Sequence, residues 1–318
     1  MRMHQYVIPT IISGMVVLLM LTGCGNGDDR QANGDGAAQA AGGAIAQDRE
    51  CPPELSQAAL PADGPADDVI GIRPGMSFND VMAILQCREG MKTFDVAETW
   101  AVSETFGTTT RQLLRVTDGV ACEQRSTWMG SGDACDTAGN RFSPLKEFTE
   151  EFVVAFTGLP DEEVVRAVWR RTIFSDDAYP AIESLVNGLQ EKYGEPVHQM
   201  SGDYLRTYYG RHAGHRLAWY YSPAGQRFTQ ERDFMGRAFQ RDCTGMRPNF
   251  DGRQSWNSGC GLTIVAEVLP LQGSRHQARS MEIMIADQAA LYHGAQAFEE
   301  QLATAYRART EDNATVDF

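Results

Sequence analysis

The sequence predicts an α+β fold, an antiparallel sheet carrying a few amphipathic helices. Three observations carry this expectation. Apolar residues recur at helical spacing in three separate segments, and β-branched and aromatic runs bounded by turn residues lie between them. Helices and strands do not alternate in the regular way that a parallel sheet requires.

The first element is the stretch Ile70 to Cys87. Ser77 is a good N-cap, and Asp80 stands three residues later, as in a capping box. Met76 before the cap and Val81 in the next turn occupy the positions of a hydrophobic staple. Phe78, Val81, Met82 and Leu85 then share one face of a short helix, and Gly75 suits a sharp entry before the cap. A second helix is expected to start near Pro180, with Ile182, Leu185, Val186, Leu189 and Tyr193 on one face; Gly194 and Pro196 end it. A third runs from about Gln288 to Ala308 behind an Asp287 cap, with a stripe of Leu291, Ala295, Phe298, Leu302 and Tyr306.

Strands are expected at Glu150–Gly158 and Val164–Phe174, around the turn-forming Leu-Pro-Asp-Glu, and at Arg216–Tyr221. Gly261–Leu269 and Arg279–Ala286 read as a hairpin around Pro270 to Arg275. Arg166, Arg170 and Arg171 alternate with apolar residues and read as a strand whose charges pair with Glu150, Glu151 or their neighbours.

Ahead of the folded part, Arg2 and His4 precede an apolar stretch from Tyr6 to Leu21, followed by Leu21-Thr22-Gly23-Cys24. This resembles the lipobox of bacterial lipoprotein signal peptides. The resemblance implies removal of residues 1–23 and lipidation of Cys24 with two or three acyl chains, enough for durable membrane attachment. Gly25 rather than Asp follows the cysteine, which by the same resemblance favours the outer membrane, facing the periplasm, over the inner membrane. Residues 24–69 are rich in Gly, Ala, Asp, Gln, Asn and Pro and are expected to form a flexible tether. Its root-mean-square reach is roughly 35–40 Å. The expected organisation is therefore a signal peptide over 1–23, a lipidated tether over 24–69, and an α+β domain over 70–310. That domain has a point of subdivision near 175–180, and residues 311–318 form a disordered tail.

Six cysteines remain beyond Cys24, an even number that in an exported chain reads as disulfides. Local pairing favours Cys122 with Cys135 and Cys243 with Cys260 across loop-rich intervals, leaving Cys51 with Cys87. No C-x-x-C occurs, so a cysteine metal site is not expected.

The formal charge is −14, and loss of the one positive charge of Arg2 gives −15. That sign argues against nucleic acid and against adhesion to anionic lipid by charge, which leaves the lipid on Cys24 as the membrane contact.

Ile72-Arg-Pro-Gly-Met-Ser-Phe-Asn-Asp-Val-Met-Ala-Ile-Leu85 resembles the opening of the SmpA/OmlA (BamE-like) lipoprotein family, I-x-x-G-M-[ST]-x-x-x-V-x-x-x-L. Gly75, Met76, Ser77, Val81 and Leu85 match the motif over some 14 residues. The family usually closes this helix with Gly-x-Pro. Here Gln86-Cys-Arg-Glu-Gly-Met91 follows instead, and a Gly-Glu-Pro stands at 194–196 behind a different helix. The resemblance implies two helices packed on a small antiparallel sheet, an outer-membrane lipid anchor and a role supporting assembly of outer-membrane proteins. The length of this chain allows two such units, near 70–175 and 180–310.

For chemistry the sequence offers little. His212 and His215 read as a turn pair that lacks a fixed third ligand, Asp203 and Glu231 being the nearest conceivable ones. Signatures of zinc hydrolases, serine hydrolases, phosphate loops and dinucleotide folds are absent. The expected function is non-catalytic, through protein contacts in envelope assembly or maintenance, with no cofactor. The alternative is a small-ligand or glycan-binding lipoprotein using Tyr204, Tyr208, Trp219 and Tyr221 from an aromatic cluster that also holds Tyr209 and Tyr220.

Overall fold

Helix α1 (Phe78–Gln86) starts where the cap chemistry places it: the Ser77 hydroxyl accepts from Asp80 N at 3.2 Å and donates to Asp80 Oδ2 at 2.7 Å. Gly75 has φ +90°, a left-handed conformation that suits glycine, and a Cβ there would meet nothing within 4 Å, so conformation and not space sets the residue. Val81 and Leu85 are fully buried, and Met76 packs against the same core. This computed structural model describes residues 66–98, 106–121, 142, 145–175, 178–207, 210–229, 243 and 257–312; over 203–213 the description extends to the backbone alone. The segment expected as signal peptide, most of the expected tether and the end of the expected tail lie outside the described residues.

The remaining elements are β1 (Thr93–Ala97), β2 (Leu113–Thr117), β3 (Val120–Ala121), β4 (Leu145–Lys146), β5 (Glu150–Thr157), β6 (Val164–Ile173), α2 (Ile182–Tyr193), β7 (His198–Thr207), β8 (Gly210–Tyr220), β9 (Leu262–Pro270), β10 (Ala278–Asp287) and α3 (Gln288–Asp312). The fold is α+β. Eight strands form one open antiparallel sheet in the order β1-β2-β5-β6-β10-β9-β8-β7, and β3 and β4 make a separate small ribbon. None of the three helices among the described residues is long and apolar enough to cross a membrane.

The sheet order is symmetric about its centre. A helix followed by four antiparallel strands (α1, β1, β2, β5, β6) is repeated as α2, β7, β8, β9, β10, and the last strands of the two halves pair with each other. The match extends to single bonds. Phe78 N donates to Glu163 O at 3.2 Å, and Ile182 N donates to His276 O at 2.9 Å. Val165 N donates to Met76 O at 2.8 Å, and Ala278 N donates to Pro180 O at 2.9 Å. Each final strand carries a bulge near its start whose extra residue is an arginine: Arg166 between Val165 and Ala167, and Arg279 between Ala278 and Ser280. Phe78, Met82 and Leu85 of α1 have their counterparts in Ile182, Val186 and Leu189 of α2, all buried. Gly90 and Gly194 follow the two helices with φ +87° and +79°. Arg170 and Ile283 are partners across the central pair and hold corresponding places in their strands, so the pseudo-two-fold axis runs between them. The two halves meet between Ile173 and Ile182, where the sequence places its subdivision, but they share one sheet.

Both repeat helices cover the same face. The main core joins α1 and α2 to Val116, Phe152, Val168, Leu217, Trp219, Ile264, Ala266, Ile283 and Ile285. The opposite face is covered by α3, whose Leu291 packs with Leu113, Trp169 and Met284. Asp287 caps this helix, accepting from Ala290 N at 3.0 Å, as expected. Phe298 and Leu302 of its stripe are buried, whereas Tyr306 is exposed and stacks on Phe106.

Several expectations change. Pro180 is not in the first turn of α2: Ala181 is the N-cap and Pro180 supplies the carbonyl that holds β10. Residues 66–69, expected from composition to belong to the tether, pack with the domain: Asp68 and Val69 are buried, Val69 in the main core. Helix α3 continues to Asp312, into the segment assigned to the tail, and residues 313–318 lie outside the described residues. His212 and His215 stand in β8, not in a turn, because pairing with β7 and β9 extends that strand back to Gly210.

Candidate functional site

On the helix face, one ionic cluster sits at Arg170, beside the pseudo-two-fold axis. Arg170 of β6 reaches Glu150 at the start of β5, with Nε 2.7 Å and Nη2 2.5 Å from Oε1. Arg88, just past α1, closes on the same carboxylate, Nε to Oε2 at 2.5 Å and Nη2 to Oε1 at 2.8 Å. Both guanidinium groups lie over the Phe152 ring, at 5.5 Å for Arg88 and 5.7 Å for Arg170. Both oxygens of Glu150 are therefore taken, and the group works as a brace between α1 and the sheet. The expectation that the strand arginines pair with Glu150, Glu151 or their neighbours holds for Arg170 with Glu150; Arg171 faces the other side, in register with Glu151, and meets Glu282 at 3.4 Å.

In the second repeat, Lys192 stands two residues before Gly194, as Arg88 stands two residues before Gly90. Its Nζ lies 3.0 Å from Asp68 Oδ2, and the Tyr193 hydroxyl donates to the Asp68 carbonyl at 2.9 Å. Burial pushes the Tyr193 phenol well above its ordinary value, so it stays a donor.

The opposite face carries a charged rung across five strands, Glu151, Arg171, Glu282, Glu267 and Arg216, each in register with the next. Arg216 meets Glu267 at 2.8 Å. Burial pushes the Glu267 carboxyl up, against the pull of Arg216 and with a push from Glu282. A third ionic group sits at the start of α1, where Arg111 lies 4.3 Å over the Phe78 ring and 2.6 Å from Glu163. Burial opposes the charge on Glu163, but hydrogen bonds from the Arg111 side chain and backbone outweigh it and hold the carboxyl below its ordinary value.

The residues singled out from sequence land as follows. Gly75, Met76, Ser77, Asp80, Val81 and Leu85 build the entry and core face of α1. Trp219 and Tyr221 are buried in the helix-face core, Trp219 against Tyr193 with ring centroids 5.3 Å apart, so neither is open to solvent. Tyr220 faces the opposite way, beside Cys243 and Cys260. The side chain of Tyr204, and Tyr208 and Tyr209 altogether, lie outside the described residues, as does Glu231; the Asp203 side chain does too. His215 keeps a buried Nδ1 without a hydrogen-bond partner among the described residues, and burial pushes its pKa down. Among the described residues, no three His, Cys, Asp or Glu side chains gather closely enough to hold a metal ion.

Cys243 and Cys260 form a disulfide, with Cα atoms 5.6 Å apart, as local pairing expects. Cys87 is also disulfide-bonded, while its expected partner Cys51, together with Cys24, Cys122 and Cys135, lies outside the described residues. Sequence reasoning missed Asp68, Arg88 and Lys192. The equal spacing of the two cations before Gly90 and Gly194, after Leu85-Gln86 and Leu189-Gln190, is the one signal that could have found the latter pair.

Fold and site together define a two-repeat, open-sheet α+β protein whose described ionic groups are tied to one another. No family model, curated protein or solved structure matches the chain.

Proposed function

We propose that this chain is a lipid-anchored lipoprotein of the outer membrane, facing the periplasm, that acts through protein contacts in envelope assembly or maintenance and performs no chemistry. The observation that carries the reading is Leu21-Thr-Gly-Cys24 behind an apolar stretch, followed by a low-complexity spacer. Two repeats of one helix and four strands support a reading as two units, although each half brings one helix where the SmpA/OmlA family packs two. The open sheet also leaves β1 and β7 as edge strands, a common means of recruiting an extended partner segment.

The test is lipid labelling in cells with a Cys24→Ser comparison. The parent should incorporate acyl label and fractionate with membranes, and the variant should do neither. Labelling that survives the substitution overturns the anchor. Cross-linking in the intact envelope should yield discrete protein adducts; a chain that forms none argues against action through contacts.

A further inference from the structure

We infer that Asp68, Lys192 and Tyr193 form a clamp that fixes where the N-terminal tether enters the domain, using a cation position that the first repeat reserves for its own sheet. Arg88 and Lys192 are counterparts in the two repeats. Arg88 is spent on Glu150, which belongs to β5 and so braces its own half. Lys192 is spent instead on Asp68, which lies outside both repeats in the segment leading into α1. The duplication thus offers two equivalent cations, and the second has been turned to hold the incoming chain.

The geometry around Asp68 is built for that role. Its Oδ2 takes both Lys192 Nζ at 3.0 Å and Gly71 N at 2.7 Å, and its carbonyl accepts from Tyr193 at 2.9 Å. Val69 and Ile72 bond to each other in both directions, at 2.9 and 3.0 Å, around a tight turn at Ile70 and Gly71. Ile70 holds φ +50°, a region that a β-branched residue rarely enters, so the surrounding contacts must hold it there. Val69 and Ile72 supply them, both buried in the main core. Two bonds, both to Asp68, therefore tie the segment to a helix of the second repeat before it reaches the first.

The consequence is a fixed exit for the tether beside the C-terminal end of α2. Under the lipid-anchor reading, on which this consequence alone rests, it fixes the point of the domain to which the flexible spacer is joined. The clamp itself does not depend on that reading.

Hydrogen exchange measured by mass spectrometry on the full chain tests it. Asp68→Asn and Lys192→Met should each speed exchange at residues 69–72 by tenfold or more, with β9 and β10 unchanged. Lys192→Arg, which keeps the charge and the donors, should retain much of the protection. Retained protection in both single variants overturns the clamp, and so does a loss spread equally over the whole sheet. The same measurement on the Cys24→Ser chain should give the same local result, so failure of the anchor and failure of the clamp are read separately.

Discussion

Trp219 donates its indole N–H to the carbonyl of Gly194 at 2.8 Å, tying β8 to the turn that ends α2. The side chain is fully buried and rests against Tyr193. Trp219→Phe should keep most of the packing but leave that carbonyl without its donor, a loss of about 1–3 kcal/mol. Trp219→Ala should cost about 3–5 kcal/mol by adding a cavity. Urea unfolding of the two variants, compared at equal m-value, checks the order.

Helix α1 offers a second pair. Ser77→Ala removes the acceptor for Asp80 N and should cost about 1 kcal/mol. Leu85 is fully buried, and Leu85→Ala should cost roughly 2–5 kcal/mol. Thermal melts should rank Leu85→Ala below Ser77→Ala and both below the parent. A parent-like melt for Leu85→Ala would contradict its place in the core.

Glu150 is the shared partner of Arg88 and Arg170. Glu150→Ala strands both guanidinium groups at a largely covered site and should cost about 3 kcal/mol. Arg88→Met together with Glu150→Met should cost less than the two single losses combined, because Arg170 alone, and not both guanidinium groups, then loses this carboxylate. A double-mutant cycle measures this, and additive losses would mean that the brace carries no coupling.

Glu163 and Glu267 should pull stability in opposite directions with pH. Arg111 holds the Glu163 carboxyl below its ordinary value, so that contribution is present above the ordinary carboxylate range and is lost as pH falls through the lowered value. Burial holds the Glu267 carboxyl above its ordinary value, so that contribution is present below the ordinary range and is lost as pH rises through the raised one. Glu163→Gln should therefore lose most at neutral pH and converge on the parent in acid. Glu267→Gln should gain on the parent as pH rises out of the acid range. Melting temperatures measured from about pH 3 to about pH 8, at roughly one-unit steps, check both signs.

Much of this fold was legible from residue order. Phe78, Val81, Met82 and Leu85 share a stripe, and Ser77 and Asp80 mark its start, because a helix end must satisfy its first amides locally. Strands β5, β6, β9 and β10 were visible as β-branched runs between turns, and the β9–β10 hairpin pairs as expected. Strands β1, β2 and β7 were not. Leu113 to Thr117 is only five residues, all buried, and so carries no alternation. His198 to Thr207 contains Gly202 and mostly polar residues, which pass for a loop.

What the sequence determined by itself is local: caps, stripes and turns, all of which depend on residues close together in the chain. Only the tertiary structure decided that β6 pairs with β10, that the two halves repeat each other, and that Arg88 and Lys192 are counterparts with different carboxylates. It also decided that Trp219 and Tyr221 serve packing, although their residue types suit a binding surface equally well. The physical reason is that a side chain's partner across a sheet or under a helix is set by strand order and register, and residues distant in the chain fix both only when the whole core closes at once.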